Sequence, residues 1–140
     1  PYYRKVQTLL KKAGIGVVCD PHTGPLYARV RSLYSAGVNV ALGQDDIADA
    51  YYPFGRNNML EVAFLAAHLM NMSTMKDMEM LYDLITTTAA AVLGIREHSL
   101  QEGNKANLVV LNAKNVWEAI WSHEAPLHVI KDGRDITLPL

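Results

Sequence analysis

Residues 15–43 read IGVVCDPHTGPLYARVRSLYSAGVNVALG, and this stretch decides the fold. Ile15-Gly16-Val17-Val18-Cys19 and Val38-Asn39-Val40-Ala41-Leu42 are short apolar runs without clean alternation, the pattern of strands covered on both faces. The first is closed by Asp20-Pro21-His22-Thr23-Gly24-Pro25, whose prolines and glycine neither continue a strand nor start a helix early. Between the runs, Leu26 to Ala36 is compatible with a helix. Leu26, Val30, Leu33 and Tyr34 share one side, Arg29 and Arg31 take the other, and Gly37 ends it. Strand, helix and strand on short joints predict a β-α-β unit with parallel strands.

Upstream, Val6, Leu9 and Leu10 recur at helical spacing among lysines and an arginine, with Gly14 as the stop, which predicts a surface helix over residues 2 to 13. Downstream, Gln44 to Asn57 is an acidic, aromatic loop too long to be a mere connector. Two largely buried helices follow, over residues 58 to 72 and 75 to 93, and Gly94 closes the second. The tail changes character. Ala106 to Leu111 and Leu127 to Lys131 read as strands, and Asp132-Gly133 is a hairpin signal leading into Arg134 to Leu138. Trp117 and Trp121, four apart, predict one apolar face of a short helix. The expected architecture is an α/β body with a small β layer appended.

Composition narrows the function classes. Half of the 140 residues are apolar and the formal charge is -1, so there is no basic stripe for nucleic acid. No apolar stretch approaches the ~20 residues of a membrane helix, and no signal-type block follows the N-terminus, so the expectation is a cytoplasmic protein with no membrane partner. A single cysteine, Cys19, excludes an internal disulfide and a cysteine-based metal cluster, and reads as a small buried residue ending a strand. The chain opens on Pro1 rather than Met, in the middle of an amphipathic pattern, which is expected of a piece of a longer protein.

In parallel α/β sheets, ligands sit beyond the carboxyl ends of the strands. Those ends offer Cys19, Asp20 and His22 on one side, and Gln44, Asp45 and Asp46 on the other. A carboxylate buried at such an end calls for a metal, a cation or hydrogen-bond donors, and Asp45 is the candidate; surface Asp-Asp turns and helix caps are the structural alternative. The five histidines, His22, His68, His98, His123 and His128, show neither His-x-His nor His-Glu-x-x-His spacing. Of these only His22 stands near a candidate site, and His68 reads as a hydrogen-bonded core residue. Six methionines on two apolar helices are expected to fill gaps in a core. Tyr51, Tyr52 and Phe54 are placed either to stack on a flat ring or to cover a barrel mouth. Nucleophile-elbow, phosphate-loop and dinucleotide signatures are missing from the sequence.

The run Val38 to Asp46, then Tyr52-Pro53-Phe54-Gly55 and Asn58-Met59-Leu60, resembles the strand-eight region of cytosine deaminase-like enzymes of the metal-dependent amidohydrolase superfamily. Leu84 to Gly94, Gly103 to Leu111 and Val129 to Arg134 are similar to that superfamily's last barrel helix and returning β-sandwich strands, in the same order. The resemblance implies the C-terminal part of an eight-stranded β/α (TIM-type) barrel over residues 1–97, carrying strands seven and eight, and strands of a small β-sandwich domain over 98–140. It implies hydrolytic deamination of a cytosine-like nitrogen heterocycle by a water activated on one divalent metal, zinc or iron. Asp45 matches the aspartate that binds the metal and exchanges a proton with that water, and Asp46 the neighbour that contacts the ring or its amino group. Tyr51 stands where a tryptophan closes on the substrate in such enzymes, Gln44 where histidine is common, and the loop Pro21 to Pro25 is shorter than its counterpart.

The family's remaining metal ligands and its glutamate acid come from earlier strands, so the missing N-terminal barrel strands are an expected partner, with a homo-oligomer possible. A barrel needs roughly 250 residues, so the 140-residue segment alone is expected to be inactive. The competing expectations are another hydrolase of the superfamily, acting on a triazine, guanine or a cyclic amide, and a non-catalytic interaction domain built on the barrel fragment.

Overall fold

A computed structural model describes residues 2–22, 27–45, 48–50 and 52–138. Helix α1, Tyr2–Ala13, stops at Gly14, whose positive φ of 65° is a conformation that glycine adopts without a Cβ penalty. Strand β1, Val17–Cys19, helix α2, Val30–Ser35, and strand β2, Val40–Leu42, then form the predicted β-α-β unit. The strands pair in parallel, Val17 opposite Val40 and Cys19 opposite Leu42, and the ladder continues one step as Gly43 N–H donates to the Cys19 carbonyl at 2.9 Å. Both carboxyl ends therefore open on the same side.

Helix α2 begins at Val30, later than the apolar pattern from Leu26 predicts. Tertiary ties hold the preceding residues out of a helix: the Tyr27 hydroxyl donates to the Leu69 carbonyl at 2.7 Å, and the Arg29 guanidinium lies 5.0 Å over the Tyr3 ring. Residue 26 itself lies outside the described residues. Gln7 is buried between α1 and α2, where its amide donates to the Ser32 carbonyl and hydroxyl, each at 2.8 Å.

Helices α3, Met59–Leu69, and α4, Met75–Ile85, cover β2. Ala63, Ala66 and Ala67 on α3 are buried and small, letting α4 pack close, and Leu81 and Leu84 share one buried cluster with Val62 and Val40. Met72, Met78 and Met80 are buried among them, as gap-filling requires, whereas Met75 is exposed. Thr74 and Asp77 form a reciprocal cap on α4, and the Asp77 carboxylate also takes the Arg31 guanidinium at 2.8 Å, tying α4 to α2.

The single helix expected over residues 75 to 93 is two. Helix α5, Thr87–Val92, is set off from α4 at Thr86, which has φ −129° and ψ −91°. The cause is local. The Thr86 hydroxyl donates to the Tyr82 carbonyl at 2.6 Å and that of Thr88 to the Asp83 carbonyl at 2.7 Å, so two side chains compete with the helix ladder, while the Thr87 hydroxyl bonds the Asp83 carboxylate at 3.0 Å.

Strands β3, Leu108–Val110, β4, His128–Lys131, and β5, Arg134–Asp135, form an antiparallel sheet in that order, separate from β1 and β2. The β4–β5 turn is Asp132-Gly133 with φ of 48° and 77°, the two positive angles of a tight primed hairpin. Helix α6, Val116–Ser122, leaves this sheet to pack Ala119 and Ile120 into the core shared by α3 and α4. Trp117 and Trp121 do lie on one face of α6, stacked at 5.9 Å, but that face points to solvent.

Strand β2 is buried throughout, while Val18 of β1 is 59 % exposed, so the cover expected on both faces is present for one strand and incomplete for the other. No helix of the described residues is long and apolar enough to cross a membrane.

Candidate active site

The end of β1 turns sharply because Asp20 bonds its own neighbourhood. One carboxylate oxygen of Asp20 accepts from the His22 backbone N–H at 2.9 Å, the turn that an aspartate two residues upstream makes readily. The same oxygen stands 2.7 Å from His22 Nδ1. The His22 side chain is 0 % exposed and that of Asp20 is 16 % exposed. Edge-on to the His22 ring is Tyr52, with centroids 4.3 Å apart and planes at 71°. His22 Nε2 is buried and has no hydrogen-bond partner.

The end of β2 runs through Gly43 and Gln44 to Asp45, which is exposed. Burial therefore does not force a partner on Asp45, contrary to the expectation for a carboxylate at a buried strand end. Gly43 has no room for a side chain, since a Cβ would stand 2.8 Å from Val18 Cγ1. The loop beyond folds back on the strand end. A Cβ on Gly55 would meet the Ala48 backbone nitrogen and Tyr52 Cδ1 at 3.1 Å and Gln44 Nε2 at 3.2 Å. Asp49 accepts from the Tyr52 backbone N–H at 2.9 Å, holding the tyrosine toward His22. Burial, with the nearby Glu61 charge, pushes the Tyr52 phenol above its ordinary value, so it remains a neutral hydroxyl.

The Tyr52 to His22 contact thus joins the two strand ends. Asp46, Tyr51 and most of the Pro21 to Pro25 loop lie outside the described residues. Cys19 is buried as expected, and burial raises its thiol, which removes it as a thiolate nucleophile. Phe54 is exposed, so of the loop aromatics described, Tyr52 alone packs at the site.

The other histidines stand apart. His68 bonds the Phe64 carbonyl at 3.2 Å but is exposed, so it is not the core residue the apolar helix predicted. His123 ends α6 in a left-handed conformation, and His128 pairs with Asp135 on the small sheet. Among the described residues no three His, Cys, Asp or Glu side chains converge on one metal position. Asp45, the expected metal ligand, is exposed and stands outside any such group. A cleft of about 430 Å³ also opens between the start of α3, Tyr82 and Ile85 of α4, and Val109 of the small sheet, but none of the described residues at the carboxyl ends of β1 and β2 lines it.

The sequence offered Asp20 as a strand-end candidate without its role, and Glu61 was missed. Asp20 orients His22, and the Asp-Pro-His spacing of a side-chain turn was its available signal. Glu61, buried in the first turn of α3, accepts from the Arg56 backbone N–H at 2.9 Å and anchors the far end of the loop. Its signal was Asn58-x-x-Glu61, a helix-start spacing; Asn58 does cap Leu60 N–H at 3.0 Å.

A parallel strand pair with polar groups gathered at its carboxyl ends is thus followed by a small antiparallel sheet. The chain belongs to the amidohydrolase family, whose model matches residues 2–136. Within that superfamily its likeness is to cytosine deaminase-like members. It superposes on a crystal structure of 5-methylcytosine deaminase from Klebsiella pneumoniae, liganded with 5-fluorocytosine, with a TM-score of 0.87 and 31% identity, covering 99% of this chain and 37% of that one. The N-isopropylammelide isopropylaminohydrolase of Burkholderia multivorans gives a TM-score of 0.86 at 27% identity, over 95% and 35%. In sequence, the N-isopropylammelide isopropyl amidohydrolase of a Pseudomonas species is 35% identical over 130 residues, 91% of this chain and 32% of that protein. The chain thus spans about a third of the length of the relatives it matches.

Proposed function

We propose that these residues are the C-terminal portion of a β/α barrel deaminase, residues 1–97 completing the barrel and 98–140 its small sandwich domain, and that the whole protein hydrolyses the amino group from a cytosine-like nitrogen heterocycle. The observation that carries this reading is the exposed Asp45 carboxylate at the carboxyl end of a parallel strand pair, in a chain that superposes over 99% of its length on 5-methylcytosine deaminase. Exposed Val18 supports it, since a further strand or the barrel interior would cover that face.

Asp45 would hold one divalent metal, zinc or iron, through a carboxylate oxygen. Bound there, such a metal lowers the pKa of a water toward ~7 and makes it a nucleophile at neutral pH. Asp45 accepts the proton of the attacking water and returns it to the departing amine, a role worth roughly 10² to 10⁴ in rate. Asp46 contacts the ring or its amino group, Tyr51 closes over the substrate, and His22 binds it from the β1 side. The remaining ligands belong to strands outside these residues, so the catalyst is the longer chain and the isolated segment is inactive.

Ammonia release from a panel of pyrimidines, purines and triazines by the complete protein tests the reading, with cytosine or a close relative expected to be the best substrate. Tight stoichiometric metal with turnover in residues 1–140 alone would contradict it. A triazine substrate is the second reading, favoured by the 35% identity to N-isopropylammelide isopropyl amidohydrolase.

A further inference from the structure

The loop that leaves β2 returns to the body of the protein through Arg56, and one side chain holds it there. Glu61, in the first turn of α3, is buried, and one of its carboxylate oxygens accepts from the Arg56 backbone N–H at 2.9 Å. Its other oxygen stands 3.6 Å from Arg56 Nε. Glu61 is itself fixed. Its own N–H donates to the Asn58 carbonyl at 3.0 Å, and the adjoining Val62 and Ala63 are 0 % exposed, so this turn of α3 is part of the core. The unpaired N–H groups of a helix's first turn further favour a carboxylate there.

What the bond holds follows from the residue before it. A Cβ on Gly55 would stand 3.1 Å from Tyr52 Cδ1 and from the Ala48 backbone nitrogen, and 3.2 Å from Gln44 Nε2. The return leg of the loop therefore lies directly on the outgoing leg and on the end of β2. Tyr52 in turn packs edge-on against His22 at the end of β1, with ring centroids 4.3 Å apart. A shift of the Arg56 backbone thus reaches the tyrosine ring through one intervening residue.

The two contacts of Glu61 are unequal. The Arg56 side chain is 55 % exposed and its Nε lies beyond hydrogen-bond length, so water screens that ion pair. The backbone bond ends on a buried carboxylate, and a bond to a charged acceptor is roughly twice as strong as one between neutral groups. Loop position accordingly depends on an acceptor oxygen at residue 61 and little on the Arg56 charge.

We propose that Glu61 is a positioning residue: through the Arg56 backbone it holds the loop's return leg against Tyr52, and so sets how firmly the loop closes on the bound heterocycle. The inference rests on the deaminase reading above and deepens it. Asp45 is held separately, by the β2 ladder that ends in the Gly43 to Cys19 bond, so a loosened return leg leaves the chemical step alone. Such a change weakens binding of substrate and transition state together, which raises KM at constant kcat.

The test compares Glu61→Ala, Glu61→Gln and Arg56→Ala in the complete protein, on the best substrate of the panel above. Glu61→Ala is expected to raise KM about tenfold with kcat within about twofold of wild type. Glutamine keeps an acceptor oxygen in the same place and should restore KM to within about threefold, while Arg56→Ala stays within about twofold. A fall in kcat at unchanged KM, a glutamine variant no better than alanine, or no change in any variant would overturn the proposal. So would an Arg56→Ala variant as impaired as Glu61→Ala, because the ion pair and not the backbone bond would then hold the loop. A second readout needs no substrate. Trypsin cuts after arginine, and cleavage between Arg56 and Asn57 should be about tenfold faster in Glu61→Ala than in wild type, with Glu61→Gln near wild type. Equal cleavage rates would reject the clamp. Absence of ammonia release by the wild type would instead defeat the deaminase reading, and the cleavage rates alone would then decide whether Glu61 holds the loop.

Discussion

The molecule contains the same pair twice. His22 Nδ1 meets Asp20 at 2.7 Å, and His128 Nδ1 meets Asp135 at 2.7 Å. Their surroundings differ. The first pair is enclosed at the end of β1, with side chains 0 % and 16 % exposed, while the second lies on the small sheet with 55 % and 49 % exposed. Equal distances do not make equal interactions. In water the outer pair is screened, and its partners can each be satisfied by solvent. At the inner site an unmade bond has no solvent substitute, so the pair fixes a tautomer and orients a ring.

Breaking the inner pair should therefore have the larger effect. Asp20→Ala strands a buried Nδ1–H and is expected to lower stability by about 1–3 kcal/mol in denaturant unfolding of the complete protein, with a higher KM. Asp135→Ala should lower the unfolding midpoint less than Asp20→Ala does, because its bonds are made in water; equal effects from the two substitutions would erase the distinction. A smaller effect should come from the wall of the inner site. Gly55→Ala puts a methyl group against the Ala48 backbone nitrogen and the Tyr52 ring, and is expected to cost about 1 kcal/mol while loosening Tyr52 from His22, seen as a raised KM.

The subtlest difference lies in acid. Hydrogen bonds from the Thr137 hydroxyl and backbone N–H, and then from His128, hold the Asp135 carboxyl at about 2, below its ordinary 3.8. A carboxyl lowered on folding contributes stability that is complete above the ordinary value and is lost as pH falls through about 2. An NMR titration of Asp135 should show that midpoint. Thr137→Val should raise it more than His128→Ala does, because the threonine makes the larger contribution, and the reverse order would show that the His128 ion pair dominates.

Much of this was legible in the sequence, and the misses have physical causes. The apolar runs, the stops at Gly14 and Gly37 and the Asp132-Gly133 turn announced the β-α-β unit and the hairpin, because each depends on short-range sterics or continuous burial. The break at Thr86 was hidden in an apolar period, since hydroxyl-to-carbonyl bonds act beneath the level of hydrophobic patterning. His68 was misjudged for another reason: an apolar neighbourhood in sequence does not say which side of a helix meets solvent. At the site, the positions of Asp45 and His22 could be read from strand ends. The Asp20 bond and the Tyr52 cover could not, because they join separate loops in space.

The central claim is that the carboxyl ends of β1 and β2 form part of a deaminase active site in which Asp45 handles the proton. Steady-state ammonia release from cytosine by the complete protein and its Asp45→Asn variant tests it most directly, with circular dichroism to verify the fold. The account predicts a kcat lower by roughly 10³ or more at unchanged secondary structure. A variant with wild-type kcat would contradict it.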